Sequence, residues 1–306
     1  MKIGKATTKE IDRILTKNRG VMLESNILGS DFSFLKIRSS NLVFKIEPMV
    51  FYKFLTAQEN AALSVTFPIN DFITSGTWPS IAMTDFEKPK GVGKEFFDYV
   101  TRVIKNLGER KIRIASGHTG FYGNVGHGVV GSMALIGLEE PIFSFGRIEK
   151  DDSFYSVGYL GTELSYFRGK QERKSNTKSS DLSIEKYVKE FLKMRRTVHY
   201  VHDMSEGGLV RAIGEISGLI KSGFNVRSEH LESISARGTE DYGVGVLSAS
   251  SSGSVIVSVE HSRKEEFEGK MKDNAFPFIE IEKRKKGVTI DGKKFSPQDS
   301  VINFLK

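Results

Sequence analysis

The stretch Tyr200 to Ile216, YVHDMSEGGLVRAIGEI, restricts the fold more than any other part of the chain. The apolar run Val198-His199-Tyr200-Val201 reads as a strand. Leu209, Ile213, Ile216 and Ile220 recur at the spacing of one helix face. A strand, a polar glycine loop and a helix must therefore follow one another within a few turns of chain. Gly207-Gly208 would expose backbone N–H groups at the positive end of the helix dipole, which suits a phosphate. An equally physical reading makes Ser205 or Asp203 the helix cap and puts Glu206 in its first turn. No complete phosphate-loop pattern, G-x-x-x-x-G-K-[ST], occurs. Local chemistry leaves both readings open.

The same mixture of elements recurs along the 306 residues. Ile11 to Lys17 suits a short helix. FSFLKI and LVFKIE read as strands around the turn Arg38-Ser39-Ser40-Asn41. Residues 58–75 carry Ala61, Ala62, Val65 and Ile69 on one helical face, which Pro68 is expected to shorten or kink. Ser80 to Thr84 is a strand. Phe96, Val100, Val103, Ile104 and Leu107 form a helical stripe with Gly108 as its stop. Lys111 to Ala115 is a strand leading into the loop SGHTGFYGNVGHG, and strand-like Val129 to Leu138 closes the half. Beyond Pro141 and the acidic turn Glu149 to Asp152, FYSVGYL suggests a strand and RGKQERKSNTKSSDLS an unpatterned excursion. Ile184, Tyr187, Val188, Phe191 and Leu192 form a helical face, capped by Asp181 or Ser183. GSVIVSVE alternates as a strand after the Ser/Gly-rich turn SASSSGS, and a helix follows near Arg263 to Lys272. Both halves mix helices and strands, which predicts an α+β protein of two domains, 1–148 and 149–306.

Composition excludes several chemistries. Cysteine is absent, so disulfides, thiolate zinc sites and cysteine nucleophiles cannot occur. Its absence fits a reducing cytoplasm. The first twenty residues lack a signal-peptide core, and no run approaches the ~18 apolar residues of a membrane helix, so the expectation is a cytoplasmic, soluble protein without membrane contact. The net charge of +7 favours anionic partners. The basic runs Arg168 to Lys178 and Lys283 to Lys286 are not interleaved with aromatic residues, so a nucleic-acid partner is not expected.

Three further polar constellations stand at element ends. Gly29-Ser30-Asp31 is a turn or a ligand loop. Asn70-Asp71 with Thr74, Ser75 and Gly76 is a helix end or a binding loop. In Ser116-Gly117-His118-Thr119-Gly120, the glycines permit close backbone approach to a ligand. His118 and His127 match no compact metal-ligand spacing.

Taken in order, these loops resemble the superfamily of aminoimidazole ribonucleotide (AIR) synthetase, the PurM-like proteins. Thiamine-monophosphate kinase, selenophosphate synthetase and a hydrogenase-maturation dehydratase belong to it. The family's G-[DE]-D-[AD]-A loop has its counterpart in Gly29 to Ser33, and its acidic T-D-P context in Ile46-Glu47-Pro48. Its N-D-[IL]-A-x-x-G-A-x-P loop is matched by Asn70 to Pro79, and its G-G-[HDN]-T loop by Ser116 to Thr119. The long H-D-x-[ST]-x-G-G-L-x-x-A-[IL]-x-E pattern is matched by His202 to Glu215. The matched motifs span about residues 4 to 260. They are most similar to an archaeal-type group related to the synthetase and to hydrogenase maturation.

The resemblance implies a homodimer whose N-terminal sheets pair in a barrel-like interface, with ATP and Mg2+ in a groove between the halves. It implies an enzyme that phosphorylates a carbonyl or amide oxygen of a small-molecule substrate. Asp31, Asp71 and Glu47 would hold the metal, because hard magnesium prefers oxygen ligands. Asn70, Asp71, Gly117, Thr119, Gly207 and Gly208 would bind the nucleotide, and Asp203, Glu206 and His118 would serve catalysis. Two departures stand out: Ser30 replaces an acidic residue, and Glu47 replaces an aspartate. They make a catalytically reduced nucleotide- or metabolite-binding relative the alternative. The absence of cysteine excludes the carbamoyl dehydration of hydrogenase maturation.

Overall fold

A computed structural model of the chain describes residues 23, 25, 29–122, 128–174 and 177–294. The helix expected at Ile11 to Lys17, and His127, lie outside the described residues. The protein folds as two compact units. One is Phe32–Pro141; the other joins the described part of Met1–Asp31 to that of Ile142–Lys306.

Alternating side chains build the sheet of the first unit from β1 (Ser33–Ile37), β2 (Ser40–Phe51), β3 (Ile81–Glu87), β4 (Arg113–Gly120) and β5 (Gly128–Gly137). The strand order is β1-β2-β5-β3-β4; only β3 and β4 are parallel. Val43 and Met49 of β2 and Met133 and Leu135 of β5 are buried. Against this sheet pack α1 (Ala57–Ile73) and α2 (Glu95–Glu109). Thr56 and Glu59 form a reciprocal capping box that starts α1. Ser64 Oγ on α1 donates to the Val50 carbonyl at 3.0 Å and lies 2.8 Å from the Tyr99 hydroxyl of α2, joining sheet and both helices. Phe96, Tyr99, Val103 and Leu107 are fully buried on α2, and each such burial contributes roughly 1.5–3 kcal/mol.

Several expectations change here. Helix α1 continues through Pro68 to Ile73, because burial of its apolar face outweighs one missing N–H donor. Helix α2 does not stop at Gly108 but at Glu109, and the chain reverses at Lys111 with φ of 61°. Ile104, expected on the core face, is exposed and Tyr99 takes the core position. The turn after β1 narrows to Arg38-Ser39. Ser116 to Gly120 is not a loop: it prolongs β4, paired with β3.

The second unit is built on a seven-stranded sheet of β6 (Ser153–Val157), β7 (Val198–Asp203), β8 (Gly223–Val226), β9 (Val255–Val259), β10 (Phe278–Arg284), β11 (Val288–Ile290) and β12 (Lys293–Lys294), in the order β12-β11-β8-β10-β6-β9-β7. Every residue of β6, β7 and β9 is buried, although β7 stands at the end of the strand order. The helices are α3 (Thr162–Glu172), α4 (Glu185–Lys193), α5 (Gly208–Ile220), α6 (Leu231–Ile234) and α7 (Lys264–Asp273). Of the excursion expected to be unpatterned, Arg168 to Glu172 is the end of α3, and Ser179–Leu182 forms a 3-10 turn. The acidic turn before β6 is not wholly solvated. Asp152 is buried, accepts from Glu149 N–H at 3.0 Å, and pairs with His199 Nδ1 at 3.0 Å. No helix among the described residues is long and apolar enough to cross a membrane.

Candidate functional site

Strand β7 ends by delivering His202 and Asp203 side by side, and both meet Asp31 within the second unit. His202 Nδ1 lies 2.7 Å from Asp31 Oδ1, while Asp31 Oδ2 accepts from the Asp203 backbone N–H at 3.0 Å. On the other side of the ring, His202 Nε2 lies 3.3 Å from Glu215 Oε2, on the second turn of α5. Glu215 Oε1 in turn pairs with Arg211 Nε at 3.2 Å. Asp31, His202 and Asp203 are all buried. Burial opposes the charged imidazolium, but Asp31 and Glu215 together outweigh it and raise the His202 pKa well above its ordinary value. The Tyr200 ring stacks on the His202 ring, and its hydroxyl reaches the Gly29 carbonyl at 3.5 Å. Gly29 needs its positive φ of 84°, and a Cβ there would press on Glu215. Asp31 is thus fixed by both of its carboxylate oxygens.

The start of α5 rests on glycine geometry. Gly207 and Gly208 both have positive φ, 80° and 54°, and a Cβ at Gly208 would collide with the Ala249 carbonyl. The N-cap position falls on Gly207, which has no side chain to cap with, and not on Ser205 or Asp203 as expected. Ser205 instead uses its backbone carbonyl, accepting from Gly208 N–H at 3.0 Å and Ser251 N–H at 3.3 Å. The second donor comes from the run SASSSGS, read in the sequence as a polar turn. In the structure Ser250, Ser251, Ser252 and Ser254 are buried. Ser251 Oγ receives Gly161 N–H at 2.8 Å, and Ser254 Oγ donates to the Tyr159 carbonyl at 2.7 Å. This serine segment joins the HDMSEGG loop to the start of α3.

In the first unit, Asp71 lies in the last turns of α1 and Glu47 on β2. Lys45, two residues before Glu47 and so on the same face of the strand, pairs with Glu47 at 2.7 Å and with Asp71. Burial first, then the neighbouring Asp71 charge, raise the Glu47 pKa to about 7 against the opposing pull of Lys45. Two carboxylates are thus held together by one ammonium group and, below neutrality, one proton. Asn70 is buried in the same helix, whose end is formed by the buried Thr74 and Ser75 and by Gly76 at φ of 78°. Gly117, His118 and Thr119 lie on exposed edge strand β4, where His118 Nε2 lies 2.8 Å from the Tyr122 hydroxyl.

Of the expected residues, Asp31 meets Asp203 within the second unit, and Asp71 meets Glu47 within the first. His202, Glu215 and Lys45 complete these two pairs, although spacing gave them no role of their own. For Lys45 the legible signal was the period-two Lys-x-Glu on one strand face. For His202 and Glu215, the signal was their position at the two ends of the matched pattern.

The donor sets fit a hard cation unequally. Glu47 and Asp71 offer oxygens crowded enough to retain a proton, and a divalent ion would relieve that repulsion directly. Around His202, possible ligand atoms of Asp31, His202 and Asp203 lie within 4.8 Å of one another. There, oxygen from Asp31 and Asp203 suits magnesium, while the imidazole is committed to its two carboxylates.

Comparison with known proteins agrees with this architecture. Residues 155–289 match the family described as AIR synthase related protein, C-terminal domain. The chain has the fold of the AIR synthase superfamily. The AIR synthase-related segment holds β7, the HDMSEGG loop and α5, and thus the His202 cluster apart from Asp31. Thiamine monophosphate kinase from Aquifex aeolicus is similar across 97% of this chain and 100% of its own, at 15% identity and a TM-score of 0.70. AaThiL complexed with AMPPCP and TMP is similar at 17% identity and 0.71, covering 97% and 99%. Hydrogenase maturation protein HypE in complex with ATP is similar at 18% and 0.68, covering 98% of each chain. No curated protein matches the sequence.

Proposed function

We propose that this protein binds ATP with magnesium and transfers the γ-phosphoryl group to a carbonyl or amide oxygen of a small substrate. The observation that carries the reading is the Glu47–Asp71 pair, two carboxylates held together by Lys45 and a shared proton. It is supported by the fold, which holds ATP or AMPPCP in the similar structures named above. Asp71, Glu47 and Asp31 would serve as metal ligands. Bound magnesium would supply neutralisation of phosphate charge. Asn70, Gly117 and Thr119 would line the nucleotide site, and Gly207 and Gly208, lacking side chains, would let an anion approach the positive end of α5. Asp203, Glu206 and His118 would act on the substrate. His202 keeps Asp31 oriented. The test is isothermal titration with ATP and with AMPPCP at millimolar magnesium; absence of binding for both rejects the proposal at its first step.

A second reading follows from Lys45. An ammonium group placed on both carboxylates mimics the charge of a metal, as in a relative that binds nucleotide or metabolite without turning it over. Saturable ATP binding with no phosphate release across amide and alcohol acceptors favours that reading.

The proposed assembly is a homodimer. The face of the first sheet opposite α1 and α2 carries Leu35, Ile37, Ile46 and Met83 in exposed positions, with Ile46 63% accessible. An apolar sheet face of this kind fits a second copy of itself better than water.

A further inference from the structure

Strand β2 sets a lysine into a row that faces the helices. Val43, Lys45 and Glu47 lie on one side of the strand, since side chains two apart share a face. Val43 at the head of this row is fully buried, whereas Ile46 on the opposite face is exposed. The Lys45 side chain is accordingly only 15% exposed. A lysine stem on apolar surface generally carries its charged head out to water. This one turns inward instead: its ammonium lies 2.7 Å from Glu47 Oε1 and also pairs with Asp71 Oδ2 of α1.

The point where the two carboxylates converge is thus filled by a tethered cation. A divalent ion in contact with both acids would need that same volume, because magnesium–oxygen contacts are only about 2.0–2.1 Å long. Charge forbids sharing it. Two carboxylates with one ammonium leave a single negative charge, and with one divalent ion they are neutral. With both cations the cluster would be positive, in a place with little water to screen the repulsion. Lys45 must therefore withdraw before a divalent ion can reach Glu47 and Asp71 together. Its flexible four-carbon stem allows the movement, and the displaced ammonium then needs another anion nearby. A polyphosphate supplies one, since lysine is an effective point-charge partner for phosphate oxygens.

We infer that Lys45 makes this carboxylate pair selective for a metal–nucleotide complex over the free metal ion. The ammonium holds the pair against divalent ions on their own, and moves onto the phosphates when metal and nucleotide arrive together. Metal and nucleotide binding are then coupled through one side chain, and each raises the affinity of the other by the same factor. The inference rests on the proposed placement of the metal on Glu47 and Asp71. It differs from the reading in which the ammonium replaces the metal for good, because there Lys45 stays in place with nucleotide bound.

The test uses the full chain with Mn2+ as the probe, its free and bound forms being separated by electron paramagnetic resonance. Mn2+ is titrated alone and with AMPPCP, and AMPPCP with and without Mn2+, in the wild type, Lys45→Gln and Lys45→Arg. Lys45→Gln should bind Mn2+ alone at least about tenfold more tightly than the wild type. It should bind AMPPCP more weakly, so that the coupling factor between the two ligands shrinks. Lys45→Arg keeps the charge and should exclude free Mn2+ as the wild type does. Adding Asp71→Asn to Lys45→Gln should abolish the gain, which ties it to this pair. Folding of each variant is checked by circular dichroism, and Mn2+ should raise the melting temperature of Lys45→Gln more than that of the wild type. Unchanged Mn2+ affinity in Lys45→Gln, or an unchanged coupling factor, overturns the inference even where the wild type binds Mn2+ and AMPPCP together. AMPPCP binding by every form with Mn2+ affinity indifferent to Asp71→Asn rejects the placement of the metal, and the inference with it. Absence of AMPPCP binding in every form rejects the ATP-dependent reading itself.

Discussion

His202 joins two acidic residues that sequence places far apart, with Asp31 2.7 Å from one ring nitrogen and Glu215 3.3 Å from the other. A buried cation between the buried Asp31 and the part-buried Glu215 makes each dependent on the others. Removing it leaves two desolvated acids without compensation, the situation in which single substitutions cost about 3–5 kcal/mol. His202→Ala should therefore lower the denaturation midpoint in urea strongly. Double substitution of His202→Ala with Glu215→Gln should recover part of that loss. A non-additive cycle is the signature of coupling, and simple additivity would show that the imidazole and Glu215 do not act as a pair.

Glu47 gives the metal-free protein a pH dependence with a defined sign. Its carboxyl titrates near 7 in the fold against an ordinary value of 4.5. A group raised on folding contributes stability that is present below its unfolded pKa and lost as pH rises through its folded one. Thermal stability in EDTA should thus fall between about pH 5 and pH 8. Glu47→Gln, which keeps the shape and never ionises, should flatten that fall. The contribution is of the order of 1–3 kcal/mol, discounted for the opposing Lys45 charge. Identical pH profiles for the two proteins would show that Glu47 is ionised throughout.

Asp71→Asn tests the first unit's role in nucleotide binding. It removes one charge beside Lys45 while preserving the size of the side chain in the last turns of α1. If Asp71 holds magnesium, affinity for ATP should fall at least about tenfold, equivalent to about 1.4 kcal/mol, and raising the magnesium concentration should restore part of it. Unchanged affinity with intact folding moves the metal to Asp31 and Asp203.

The serine segment offers a purely structural check on how the HDMSEGG loop is held. Ser251 is fully buried, and its hydroxyl accepts the Gly161 N–H. Ser251→Ala leaves that N–H without its partner, which costs about 1–3 kcal/mol. Gly208→Ala should cost more, since it combines a positive φ with a collision against the Ala249 carbonyl. Both are measurable by equilibrium unfolding, and a neutral Gly208→Ala would refute the helix-start geometry.

Much of this architecture was legible because it follows periodicity. The α5 stripe, the α2 stripe and the alternation of β2 and β9 each fix an element without knowledge of distant residues. The motifs also appeared in order in the sequence, with departures at Ser30 and Glu47, which gave Asp31, Asp71, Asp203 and the glycine pair as candidates. What could not be read is what tertiary packing decides. Pro68 marks a helix break locally, yet α1 passes through it because its face is buried. SASSSGS has the composition of a solvated turn, but its hydroxyls are spent on backbone groups of two other segments. The pairing of Asp31 with His202 is long-range, and neither residue's neighbours encode it.

The quaternary prediction concerns β2. Ile46 is 63% exposed and pairs on the sheet with Ala134, beside Met83, so the centre of this face is apolar and uncovered in the single chain. A second copy would bury it, and a charge at its centre would then be desolvated without a partner. Ile46→Glu should convert a dimer into a monomer in light scattering coupled to size exclusion, with the far-ultraviolet circular dichroism unchanged. Because Ile46 already faces solvent in the isolated chain, the substitution should cost the monomer little, which separates loss of assembly from loss of folding. A wild-type protein that is monomeric at micromolar concentration, or a variant that remains dimeric, assigns this face to some other purpose.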